Sequence, residues 1–139
     1  MPVPTEYSHA TEHFYEYFVD TRDTSGLVST HQAYTMTQGV LQAFRRRLEF
    51  KDAILFAGVL PVGLRALFVA DWDTEEPKNT FEDRVSMTKE VESLRVEHNW
   101  APETAIHDVA SALRRHVDES NFNQILDRLP EGDTEFWEL

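Results

Sequence analysis

The 139-residue chain contains no cysteine, which excludes disulfides, thiol chemistry and thiolate zinc sites and suits a reducing cytoplasm. Any metal would have to be held by histidines and carboxylates. Glycine is scarce, with five residues in all. Phosphate-cradling loops therefore have little material, and no Walker loop, Gly-x-Gly-x-x-Gly or Gly-x-Ser-x-Gly motif occurs. The longest apolar run, Ala53 to Leu64 (AILFAGVLPVGL), has 12 residues and is broken by Pro61, whereas a spanning helix needs about 20. No contact with a membrane is expected. The amino terminus, MPVPTEYSHATEH, lacks the basic and apolar regions of a signal peptide, so the expected location is the cytoplasm. Basic residues are outnumbered, 13 Lys and Arg against 25 Asp and Glu, for a formal charge of −12 and a pI near 4.8. Such a surface repels a phosphate backbone, and no nucleic-acid partner is expected. No stretch alternates at period two for long, so no sheet is expected either.

What is present is a repetition. Residues 102–139 repeat residues 33–70 at a constant offset of 69, matching Thr35 to Thr104, Val40 to Val109, Ala43 to Ala112, Arg45 to Arg114, Arg46 to Arg115, Leu60 to Leu129, Pro61 to Pro130 and Gly63 to Gly132. Eight identities in 38 pairs, where unrelated stretches give roughly two, mark an internal duplication. Phe44 with Leu113, Leu48 with Val117, Phe56 with Ile125 and Phe68 with Trp137 are conservative partners. The expected architecture is a single all-α domain over 1–139, a bundle of two tandem repeats of three to four helices each. The repeats cover about 8–70 and 80–139, with a linker at 71–79 and the 51–69 segment near the centre.

Apolar periodicity places the elements. Tyr7, Ala10, Phe14, Tyr17 and Phe18 form one stripe of a helix over about 8–22. Ser29 with Gln32 has capping-box spacing and opens a second helix, with Met36 or Thr37, Val40, Leu41, Phe44 and Leu48 inward. A third helix covers about 51–60, and Pro61 opens a short fourth. Thr80 with Asp83 caps a helix with Phe81, Val85, Thr88, Val91 and Leu94 on its stripe, and His98, Asn99 and Trp100 follow it. Pro102 begins the counterpart of the second helix. Ser120 or Asn121 caps the counterpart of the third, with Phe122, Ile125, Leu126 and Leu129 inward, and Pro130 opens a last short element.

The copies differ in one respect. Where the second has Asn123, Gln124, Arg128, Glu131 and Asp133, the first has Ile54, Leu55, Val59, Val62 and Leu64. A helix apolar all round must be covered on both sides. Three covers are open: another part of this domain, a second copy of the chain, or an apolar ligand in a pocket between helices.

Two arginine clusters, Arg45-Arg46-Arg47 and Arg114-Arg115-His116, sit at repeated positions near helix C-termini. They could form anion sites, or could simply pair with the helix dipole and nearby carboxylates. His9 and His13 share a helical face near Glu6, Glu12 and Glu16, and Glu6 with His9 has Glu-x-x-His spacing. A di-iron bundle needs a second such copy, which is absent, so a solvated face and no metal or cofactor are expected. His31, His98 and His107 are scattered. Asp71, Asp73, Glu75 and Glu76 lack the glycine and ligand spacing of a calcium loop and fit a solvated linker.

The order of motifs resembles a bacterial family known as domain of unknown function 2267. It runs from Leu60-Pro61-Val62-Gly63-Leu64-Arg65-Ala66-Leu67-Phe68 with Trp72, through Phe81-Glu82-Asp83-Arg84-Val85, to Leu129-Pro130 with Phe136-Trp137. The resemblance covers the chain from about residue 10. It departs at the aromatic first helix and at Thr134-Glu135-Phe136, and it implies an all-helical duplicated domain with no activity or catalytic residues to carry over.

The functional expectation is a non-enzymatic interaction module that engages a protein partner or itself through Ile54, Leu55, Val59, Val62 and Leu64. The alternative is a small-molecule binder or enzyme with a pocket between the repeats, lined by Phe44, Phe68, Trp72 and Trp100 and flanked by Arg45 or Arg46.

Overall fold

The computed structural model describes residues 3–94, 100–129 and 132–139, so the expectations for His98, Asn99, Pro130 and Glu131 lie outside the described residues. Those residues form nine helices and no strand: α1 (Thr5–Ser8), α2 (Ala10–Ser25), α3 (Thr30–Arg45), α4 (Phe50–Ala57), α5 (Val62–Val69), α6 (Arg84–Ser93), α7 (Ala105–Arg115), α8 (Glu119–Arg128) and α9 (Asp133–Phe136).

Local chemistry sets the starts of the main helices. The Ser29 hydroxyl accepts the amide of Gln32 at 3.2 Å, and the Gln32 side chain reaches back to the amide of Val28 at 3.0 Å, one residue earlier than in a standard capping box. Asp83, and not Thr80, caps α6 by accepting the Ser86 amide at 2.9 Å and its hydroxyl at 3.1 Å. With α6 starting at Arg84, Thr88 and Val91 are buried as expected, Met87 joins them, and Val85 is left exposed. Asp118, and not Ser120 or Asn121, caps α8 through the Asn121 amide at 3.2 Å. An aspartate one turn before the apolar stripe presents an acceptor to the free amides of the first turn.

The central element is α3, not the 51–69 segment. Twelve of its sixteen residues are buried, because α2, α5, α6 and α7 all pack on it. Along α2, Tyr17 and Phe18 turn inward, while Tyr7 in α1 is exposed. The Tyr17 hydroxyl meets that of Thr37 at 3.1 Å, and burial pushes the Tyr17 phenol up to about 12.

Aromatic side chains from both halves meet in one hydrophobic cluster. Phe44 lies 4.7 Å from Phe56, 4.9 Å from Phe136 and 5.3 Å from Trp137 between ring centroids. Phe56 stacks on Trp137 at 5.5 Å and contacts Phe68 at 5.3 Å and Phe122 at 5.8 Å.

α2 crosses α5 at Gly63, where an added Cβ would sit 2.2 Å from the Phe14 ring. Gly63→Ala is therefore expected to cost about 1–3 kcal/mol in urea denaturation, because the ring must move out of the crossing. A loss below about 0.5 kcal/mol would show that Phe14 can turn away freely.

Candidate functional site

The repeated arginines do structural work. Arg45 Nη1 donates to the carbonyls of Phe68 at 2.9 Å and Ala70 at 3.0 Å, closing the C-terminus of α5. Arg114, at the offset of 69, donates from Nε at 3.1 Å and Nη2 at 2.9 Å to the carbonyl of Trp137, the offset partner of Phe68, and closes α9. The last carbonyls of a helix lack intrahelical donors, and a long cation from a neighbouring helix supplies them.

The rest of each cluster is also engaged. Arg47 donates to Ala43 O at 2.6 Å and Thr80 O at 2.9 Å and pairs with Glu90 at 2.7 Å, while Arg46 meets Glu90 at 3.2 Å and Glu76 at 3.6 Å. Arg115 grips both oxygens of Asp20 at 2.9 Å, and His116 Nε2 lies 2.8 Å from the same carboxylate. The Arg115 hydrogen bond is the main reason that Asp20 stays below the ordinary carboxylate range. Arg84, within the Phe81-x-x-Arg84-Val85 motif, donates to the carbonyls of Glu135, Phe136 and Glu138. No sequence signal pointed to that target, which lies more than 50 residues away along the chain.

Three of the six residues expected around a pocket come together. Arg45, Arg46 and Trp72 line a cavity of about 210 Å³, with Phe50, Glu76 and Lys78. The Arg45 guanidinium sits 5.0 Å from the Trp72 ring centroid, and Phe50 meets Trp72 edge to face at 5.5 Å. Phe44 and Phe68 do not line it; they are close-packed in the aromatic core because α5 folds back onto α3. Trp100 is 56% exposed and is not part of the lining.

The five residues of the expected interaction surface also separate. Ile54 is 72% exposed, Leu55, Val59 and Val62 are half-buried, and Leu64 is 1% exposed and belongs to the core. Leu64 is buried with Leu67 and Phe68 on α5, which packs on α2 and α3, so its apolar character reflects packing. The exposed stripe of α4 is instead Phe50, 54% exposed, with Ile54 and the exposed Gly58 that ends the helix. These positions recur every four residues and share one face. A signal for them was present in the sequence: at the offset of 69, Phe50, Ile54 and Gly58 correspond to Glu119, Asn123 and Asp127, all exposed on α8.

His9 and His13 stack at 6.0 Å between ring centroids, His9 meets Glu12 at 3.2 Å, and Glu6 is taken by Arg65 at 3.1 Å. Among the described residues no three histidine, aspartate or glutamate side chains converge as metal ligands. Among the same residues no helix is long and apolar enough to cross a membrane.

The geometry defines an all-helical protein built on a buried central helix, with arginines closing its short terminal helices and one apolar stripe left open. The chain belongs to the family described as Uncharacterized conserved protein (DUF2267), whose model matches residues 14–136. No curated protein matches it.

Proposed function

We propose that this chain is a non-enzymatic helical interaction module, one domain of two repeats, that pairs with a second copy of itself through α4. The observation that carries this is the exposed stripe of Phe50, Ile54 and Gly58, the last two within a stretch, 53–64, without a single charged residue, on a chain of net charge −12. A surface so depleted of charge marks a contact face on an otherwise acidic protein. The stripe is large, medium and small in sequence, so it complements itself when reversed. With two α4 helices antiparallel about Ile54, each Phe50 meets the other copy's Gly58. An added Cβ at Gly58 would meet only carbonyls of its own helix, the nearest at 3.4 Å, so this end of α4 is open to an incoming ring. The repeat reading is supported by the matched starts of α4 at Phe50 and α8 at Glu119 and by the matched arginine caps.

An eight-residue helix is only about 12 Å long. Even with the flanking Leu55, Val59 and Val62, the contact falls below the usual ~800 Å² per partner, so association is weak and concentration-dependent. Sedimentation equilibrium across a wide concentration range tests it. The parent is expected to dimerise, and Ile54→Glu to weaken dimerisation at least tenfold while leaving the urea midpoint nearly unchanged, since the side chain is solvated in the monomer. Val28→Glu, at an exposed site away from α4, is expected to dimerise like the parent. A parent that stays monomeric throughout, or an Ile54→Glu chain that dimerises equally well, removes the proposal.

A further inference from the structure

Asp133 opens α9 at the position that Leu64 holds in the first copy, and it is as buried, at 0% exposure. Neither of its carboxyl oxygens has a hydrogen-bond partner among the described residues. A neutral carboxyl tolerates such a setting far better than a carboxylate, whose desolvation no hydrogen bond among the described residues repays. Burial is the main cause that pushes its carboxyl up to about 7, and the buried Asp52 in the first turn of α4 adds to it. Lys78, from the connector before α6, acts in the opposite sense but is itself held by Glu49 at 2.8 Å. Arg84, the cation that α6 brings to α9, is engaged with backbone carbonyls, and α8 meets α9 through the Thr134 hydroxyl on Leu126 O.

We propose that Asp133 is a proton-operated latch on α9: as a neutral acid it seats the helix in the core as Leu64 seats α5, and as a carboxylate facing Asp52 it loosens α9 together with Phe136 and Trp137. The latch stands apart from the α4 contact and does not depend on it.

The direction with pH follows from linkage. The folded carboxyl holds its proton to about pH 7, while the unfolded one releases it near 4. The folded state therefore binds more protons between those values, and stability falls as pH rises through that window and levels off above it. Urea denaturation from pH 5 to 8 on the parent, Asp133→Leu and Asp133→Asn reads this, together with carbon-13 NMR titration of the Asp133 carboxyl in the parent. The expected result is an Asp133 midpoint near 7. The parent's unfolding constant should rise about tenfold per pH unit relative to both variants between pH 5 and 7. Amide exchange in 133–137, corrected for intrinsic rates, is expected to speed up relative to α3 over the same range. A midpoint near 4, or parent and variants losing stability in parallel, overturns the latch. If a variant fails to fold, the titration and exchange of the parent decide alone.

Discussion

Phe56→Ala is expected to lower the free energy of unfolding by about 3–5 kcal/mol. Phe56 is fully buried and is the ring on which distant parts of the chain lock together, touching Phe44 and Phe68 nearby in sequence and Phe122 and Trp137 far along the chain. Truncation removes the transfer energy of a whole ring and leaves a cavity bounded by four others, none of which can collapse into it without leaving its own contacts. Against the ~5–15 kcal/mol that holds a typical domain together, such a loss takes a large share. Phe50→Ala, six residues earlier on the outer face of the same helix, is expected to cost under about 1 kcal/mol in the monomer, since much of that ring already meets water. Urea denaturation followed by circular dichroism checks both. Equal losses at the two positions would mean that the sides of α4 are assigned wrongly.

Arg45→Met is the second large effect, with an expected loss of about 2–4 kcal/mol. Methionine fills much of the same volume but leaves the carbonyl of Phe68 without its side-chain donor and that of Ala70 with only the 3.5 Å contact from Gln42 Nε2, and a buried acceptor without a partner costs about 1–3 kcal/mol. The guanidinium also packs against the Trp72 face, and that contact goes with it. Arg45→Lys is expected to recover only part of the loss, because the ammonium has a shorter reach to the two carbonyls that Nη1 bridges and lacks the planar face that rests on Trp72. Arg114→Met is expected to cost about half as much, because Arg114 is only half-buried and water can replace it at Trp137 O. Should Arg45→Met unfold at the parental midpoint, the arginine does not close α5, and its cluster becomes available for another use.

The helical class and most helix positions were legible, because amphipathic stripes and caps are local. Phe122, Leu126 and Leu129 on and just past α8, and Val40, Leu41 and Phe44 on α3, all turn inward as their spacing requires. The stripe of α6 held at Thr88 and Val91 and failed at Val85, for an equally local reason. Thr80 and Asp83 both have capping chemistry, and only the Ser86 amide and hydroxyl meeting Asp83 decides between them. The excess of apolar residues in 54–64 over the residues at the offset of 69 has two physical meanings. At Leu64 it means core and at Ile54 it means open surface, and the same side-chain chemistry serves both.

By itself, the sequence determined an acidic, cysteine-free, all-helical chain in which residues 33–70 and 102–139 match at eight positions and the first of these stretches is richer in apolar side chains. Those properties follow from composition, from period and from a constant offset, each readable over a few tens of residues. Only the tertiary structure decided that α3 is central, that Arg45 and Arg114 close helices instead of waiting for an anion, that Phe44 and Phe68 belong to the core, and that Asp133 is buried with no hydrogen-bond partner among the described residues. These are statements about groups from 23 to more than 90 residues apart in the chain. A side chain's role there is set by which carbonyl, ring or charge the fold brings to it, and no local pattern carries that information.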